Sequence, residues 1–175
     1  TELINKIVGF NSHITVKPYE SSIDKNKLND SNLQLISKKL IFSNSGEAVI
    51  INKDYTKGLV LRGYNQKDFL ELEIVKNENF ISNNKELNNN HISIGKELSF
   101  TLDLKVGDDI TLMSSAGIET IIGSLPKQKK FTVSSIFDSG LADFDNNVAF
   151  INLNTLEEFF NLDSNSRNLE IYLKN

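Results

Sequence analysis

Apolar and polar positions change period several times along the chain, and these changes predict its elements. Leu3, Ile4, Ile7 and Val8 recur at helical spacing up to Gly9, which marks the end of a helix. His13 to Val16 alternates as a strand does. Between Asn29 and Phe42 the spacing of Leu33, Ile36 and Leu40 predicts an amphipathic helix, and Ser31 with Gln34 fits a capping box at its start. Strands follow over Glu47–Asn52 and Gly58–Arg62, with a shorter one near Phe69–Ile74 and another at Ile92–Ile94. Gly95 opens a helix running to about Leu104, and Lys105-Val106-Gly107-Asp108-Asp109 turns the chain back. Asp109–Met113 pairs with Phe131–Phe137 across an excursion. Asn147–Ile151 reads as a buried strand. Asn154, with Glu157 three positions on, caps a short helix carrying Leu156, Phe159 and Phe160, and Leu169–Leu173 closes as a strand. Short strands and three modest helices without a βαβ series make the class α+β.

Composition changes the picture only by exclusion. At 175 residues with 39% hydrophobic positions the chain has material for one domain, or two small lobes around a shared core. A net charge of −4 argues against nucleic acid as a partner, because such binding needs a basic surface to displace counterions. Cysteine is absent, which removes disulfides, thiolate metal sites and cysteine nucleophiles. No apolar run reaches the roughly 18 residues of a membrane span. The chain starts at Thr1 without a signal-like apolar core, so it reads as a segment of a longer protein. Polar runs such as Asn83-Asn84-Lys85 and Asn88-Asn89-Asn90 read as exposed spacers, although base bias in the gene would enrich the same residues.

Candidate chemistry is sparse. His13 and His91 are the only histidines and share no metal-ligand spacing. Asp143, Asp145 and Asn147 match the first ligands of a calcium loop. Val148 stands where the turn glycine belongs, however, and Asn154 where the bidentate glutamate should be, so a solvated loop is the better reading. No glycine-rich nucleotide motif or Gly-x-Ser-x-Gly elbow is present, and no cofactor is implied. A hydrolase using the Asp138–Asp145 loop stays open only as an alternative.

The excursion between the paired strands is different. From Gly117 to Lys130 it is far longer than the roughly two to five residues a hairpin needs. It holds Ile121, Ile122 and Leu125 at its centre and three lysines on its return limb. Pro126 fixes its own φ and restricts Leu125, which stiffens the tip. Such a finger is expected to be covered by a partner; a long hairpin folded back on its own domain is the alternative. The candidate partner-binding residues are Thr120, Ile121, Ile122, Gly123, Leu125, Pro126, Lys127, Gln128, Lys129 and Lys130.

Five segments in order resemble the periplasmic domain of permeases of the Lol lipoprotein-releasing ABC transporter (LolC/LolE family). They are Glu2 to Ile14, Gly58 to Gly63, Ile94 to Leu98 with Leu104 to Asp108, Gly123 to Pro126 with Phe131 to Val133, and Ile136 to Gly140 with Asp145 and Ala149 to Ile151. The resemblance implies a two-lobed domain of the MacB/LolC type, with one lobe from about 1–58 plus 131–175. The second lobe would run from about 59–130 and include the hook at 117–130. It implies a hook of the LolC kind that docks a LolA-type periplasmic lipoprotein carrier, with a second permease subunit, cytoplasmic ATPase subunits and lipoprotein cargo as further partners. Catalysis is not expected of this chain, ATP hydrolysis belonging to the separate subunits, and its place would be the periplasmic face of the bacterial inner membrane. The family commonly carries threonine and proline early in the hook; here isoleucine follows Thr120. A sensory or assembly module of a macrolide-exporter-like permease is the second reading.

Overall fold

The computed structural model describes residues 11–19, 22–24, 28, 33–76, 80, 84–121 and 123–174. The expected helix at Leu3–Val8 and the capping residue Ser31 lie outside these. In chain order the elements are β1 (Ile14–Val16), α1 (Leu33–Ile36), β2 (Ser37–Asn52), β3 (Tyr55–Tyr64), α2 (Gln66–Leu70), α3 (Glu73–Lys76), β4 (His91–Gly95), α4 (Lys96–Thr101), β5 (Asp109–Thr120), β6 (Gly123–Phe137), α5 (Ala142–Asn147), β7 (Val148–Asn152), α6 (Leu153–Phe160) and β8 (Asn168–Leu173), with a 3-10 turn at Ser164–Ser166.

The eight strands run in the order β1-β8-β2-β3-β7-β4-β6-β5, and a further pairing of β2 with β5 closes the ring. The result is a closed barrel of β2, β3, β7, β4, β6 and β5, with β8 and β1 continuing off the first half of β2. The α+β class expected from the sequence is the class observed. Closure depends on β2 changing partners. Its residues 39–43 pair with β8, while Asn44–Asn52 pair with β3 and Ala48–Ile51 with β5.

Strand alternation sorts side chains into two cores. On β7, Ala149 and Ile151 face the barrel interior with Ile50, Leu61, Ile94 and Leu112. Val148 and Phe150 point the other way, against Tyr64, Phe69, Ile74 and Phe137. Phe150 is the centre of this outer core, its ring 5.1 Å from Phe137, 5.7 Å from Phe69 and 6.0 Å from Tyr64. A strand buried on both faces reads as a continuous apolar run, as Val148–Ile151 does.

Several expected elements differ. Of the helix anticipated over Asn29–Phe42, the described residues are helical at Leu33–Ile36, and from Ser37 onward the chain is strand. The face turned inward is Ser37, Ile41 and Ser43, while Leu35 and Ile36 are exposed. Two of the buried positions are serines, so the period of two does not show in an apolar count. The strand expected near Phe69–Ile74 is instead α2 and α3, started by Asn65, whose side chain accepts the Asp68 amide at 2.8 Å. The helix after Gly95 stops at Thr101, short of Leu104. The cap of α6 is Asn152, which accepts the Asn154 and Thr155 amides at 3.0 and 3.4 Å, and Asn154 lies inside the helix. The helices are more numerous and shorter than the three expected.

The Asp138–Asn147 segment is not a solvated loop. Asp145 is buried within α5, and both of its carboxylate oxygens accept the Ser139 amide at 3.1 Å. Asp138 pairs with Lys96 at 2.9 Å. Burial lifts the Asp145 carboxyl from 3.8 to about 6, against the pull of the Ser139 hydrogen bonds. A folded-state value above the unfolded one means that folding binds protons. Asp145 therefore favours the fold most below pH 4 and loses that contribution as the pH rises through 6, by at most roughly 3 kcal/mol. The Asp145→Asn variant keeps an acceptor for Ser139 and is expected to flatten the stability profile between about pH 4 and 6.5. Urea unfolding midpoints measured across that range check this; parallel profiles for both proteins would refute it.

Candidate functional site

The long hairpin of β5 and β6 begins inside the barrel and leaves it. Pairing of β2 with β5 ends at Ala48 opposite Ser114, and pairing of β4 with β6 begins only at His91 opposite Thr132. Between these limits β5 and β6 have each other as strand partners, from Gly117 opposite Pro126 to Thr120 opposite Gly123. At about 3.3 Å per residue this two-stranded ribbon projects roughly 20 Å. The register slips between Ser114 and Gly117. A Cβ on Gly117 would fall 2.0 Å from Ser124 Oγ and 2.7 Å from Leu125 O, so glycine lets the two strands cross closely.

Strand pairing reaches the tip at Thr120 opposite Gly123. Gly123 has φ +119°, a conformation that glycine adopts readily and side chains resist, and Thr120 Oγ1 donates to the Gly123 carbonyl at 2.5 Å. Ile121 is fully exposed and Leu125 is 52% exposed, with Ser124 and Pro126 also exposed. Ile122 lies outside the described residues.

The lysines of the return limb have separate roles. Lys127 turns back to donate to the Glu158 carbonyl at 2.6 Å and to Asn161 Oδ1 at 3.2 Å, at the C-terminal end of α6. A cation at the carbonyl end of a helix is favourably placed, and it ties the root of the ribbon to the barrel's end helix. Lys129 extends over the Phe131 ring, 5.8 Å from its centre. Gln128 and Lys130 are exposed. The Lys127 tether was not foreseen in the sequence, because its partners are backbone and side-chain oxygens more than thirty positions away.

A groove of about 520 Å³ lies beside the ribbon root, on the outer face of the barrel. Val49, Val60, Met113 and Pro126 give it an apolar lining, with Glu47 and Asn147 among its polar residues. Met113 and Pro126 belong to the hairpin, so the exposed apolar surface at Leu125 and Pro126 continues into the groove.

The other sequence candidates are not brought together. His13 accepts the Leu173 amide at 3.0 Å beside β8, and His91 starts β4. Among the described residues no group of three or more His, Cys, Asp or Glu is placed to hold a metal ion. Among them, too, no helix is long and apolar enough to cross a membrane.

No family model matches the sequence. Two curated relatives, each named lipoprotein-releasing system transmembrane protein LolC, come from two strains of Xylella fastidiosa. They are 33% identical over 73 residues, which is 42% of this chain and 18% of each relative. The periplasmic region of MacB from Actinobacillus actinomycetemcomitans superposes with TM-score 0.59 at 9% identity, covering 98% of this chain and 78% of that one. The extracellular domain of the noncanonic ABC-type transporter YknZ, from Gram-positive bacteria, superposes with TM-score 0.54 at 12% identity, covering 93% and 84%. The fold of this chain is thus the one seen in the MacB periplasmic region and the YknZ extracellular domain.

Proposed function

We propose that this chain is the extracytoplasmic domain of an ABC transporter permease of the lipoprotein-releasing class, and that its β5–β6 ribbon docks the soluble carrier that receives the lipoprotein. The observation that carries the reading is the ribbon itself, a stiff arm with Ile121 fully exposed at its end. The likeness to LolC over 73 residues and the MacB-like fold support it. In this reading the domain sits on the periplasmic face of the inner membrane and has no catalytic role of its own. A second permease subunit and cytoplasmic ATPase subunits complete the transporter.

The physical need for such an arm follows from the cargo. Removing a lipid chain from a bilayer costs about 0.8 kcal/mol per CH₂, so one long acyl chain costs on the order of 10 kcal/mol. Release into water at that cost is prohibitive, and a carrier held in place accepts the chains directly. Ile121, Ile122, Gly123, Leu125 and Pro126 enter an apolar groove on the carrier, with Thr120 and Gln128 at the edges. Lys129 and Lys130 favour an acidic rim, while Lys127 holds the arm's root. An arm this narrow buries less than about 1,200 Å², which suits a transient complex.

The test is calorimetric titration of a LolA-type carrier into the chain and into a variant whose ribbon is cut back to a short turn joining Ser114 to Lys127. Saturable binding by the intact chain and none by the shortened one is the expected result. Equal binding by both places the contact elsewhere and refutes the reading.

A further inference from the structure

A second cavity, of about 190 Å³, lies where β2 passes from β8 to β3, and every residue lining it is polar or charged. Glu170 and Ser43 are buried there, and Lys17, Arg62, Ser45 and Asn168 line it with them. Glu170 Oε1 accepts Ser43 Oγ at 2.6 Å, Tyr64 OH lies 2.9 and 3.1 Å from its two oxygens, and Tyr172 OH is 3.1 Å from Oε2. These hydroxyls bring three protons to a carboxylate with about four lone-pair sites. One acceptor site is therefore left over on a buried carboxylate beside the cavity.

The rest of the lining has the opposite character. Arg62 donates through Nη1 to Asn11 Oδ1 at 2.9 Å and stacks on Phe144, which leaves most of its N–H groups uncommitted. The side chains of Lys17, Ser45 and Asn168 have no partner among the described residues. A cavity with one spare anionic acceptor and several cationic and neutral donors is complementary to a ligand bearing both signs.

We propose that this cavity binds a small zwitterion, a primary ammonium joined to a phosphate, as in phosphoethanolamine. The ammonium donates to the open site on Glu170. The phosphate oxygens take hydrogen bonds from Lys17, Arg62, Ser45 and Asn168, more donors than the two oxygens of a carboxylate would use well. The same chemistry occurs in free phosphoethanolamine and in the headgroup of a phospholipid.

Calorimetric titration of the chain with O-phosphoethanolamine, phosphocholine and inorganic phosphate tests this. Phosphocholine has the same charges but no ammonium N–H. Phosphoethanolamine is expected to bind at least about tenfold more tightly than either, a difference of about 1.4 kcal/mol. Lys17 is exposed, so Lys17→Ala should weaken binding several-fold with an unchanged melting temperature, and it serves if changes at Glu170 compromise folding. Cosedimentation with phosphatidylcholine vesicles with and without phosphatidylethanolamine identifies the source, enrichment on the latter-containing vesicles pointing to the lipid headgroup. Equal affinity for all three compounds, or no saturable binding up to about 10 mM, overturns the proposal.

Discussion

Replacing Ile121 and Ile122 together with aspartate should abolish carrier binding, by at least about 100-fold, while leaving unfolding almost unchanged. Ile121 contributes nothing to the domain's own core, because its side chain is fully exposed at the turn. Surface substitutions of that kind usually shift stability by less than about 0.5 kcal/mol. Carrying a carboxylate into an apolar groove without a partner for it costs several kcal/mol, so the complex bears the whole effect. Titration of the carrier into the double variant, alongside thermal unfolding of both proteins, reads the two quantities separately. Retention of carrier affinity within a few-fold would remove the ribbon tip from the interface. A fall in melting temperature of many degrees would mean instead that the tip packs on the domain. An Ile121→Leu change, which preserves the apolar surface, should bind almost normally.

The largest effect on stability is expected at Gly95. This residue ends β4 and starts α4, with φ −75° and ψ 156°, values open to any amino acid. Its requirement is spatial. A Cβ there would fall 2.0 Å from the Asp145 carbonyl oxygen and 2.4 Å from its Cα, and backbone atoms of a helix cannot rotate away. The Gly95→Ala change must push α5 off the barrel, which also disturbs the buried Asp145 and its bonds to Ser139. Overpacking generally costs about 1–3 kcal/mol, and a clash with backbone on both sides belongs at or above the upper end. Urea unfolding should show a loss of about 3 kcal/mol or more. At Gly58 a Cβ would meet nothing within 4 Å, so Gly58→Ala is the matched control and should be near neutral. Equal unfolding midpoints for both variants would show that α5 does not press on Gly95 as described.

Much of the barrel was legible in the residues themselves. The strands at Glu47–Asn52, Gly58–Arg62, Ile92–Ile94 and Asn147–Ile151 all lie within or across the observed β2, β3, β4 and β7, because each is a short apolar or alternating run with polar breaks. That the segment from Gly117 to Lys130 protrudes was legible too, since its length and apolar centre exceed what joining Met113 to Phe131 needs. Its construction was not. Strand pairing continues out to Thr120 opposite Gly123, so the segment expected as a long connection is a ribbon.

The misread elements share a physical cause. Leu33, Ile36 and Leu40 do recur at helical spacing, yet from Ser37 the chain pairs with β8 on one side and, further on, with β3 and β5. The β8 and β5 partners are distant in sequence, and the inward positions Ser37 and Ser43 are polar residues that a local pattern counts as exposed. Glu170 is buried for the same reason, through hydroxyls supplied by Ser43, Tyr64 and Tyr172 from three strands. Local periodicity and turn chemistry alone thus determined the α+β class, most of the barrel strands and the position of the finger, because those depend on neighbours within a few residues. The closure of the ring through β2, the Lys127 tether, the burial of Asp145 and the charged cavity around Glu170 were decided only by tertiary structure. They arise where segments far apart in the chain meet, and hydrogen bonds and desolvation across such meetings leave no trace in the order of residues.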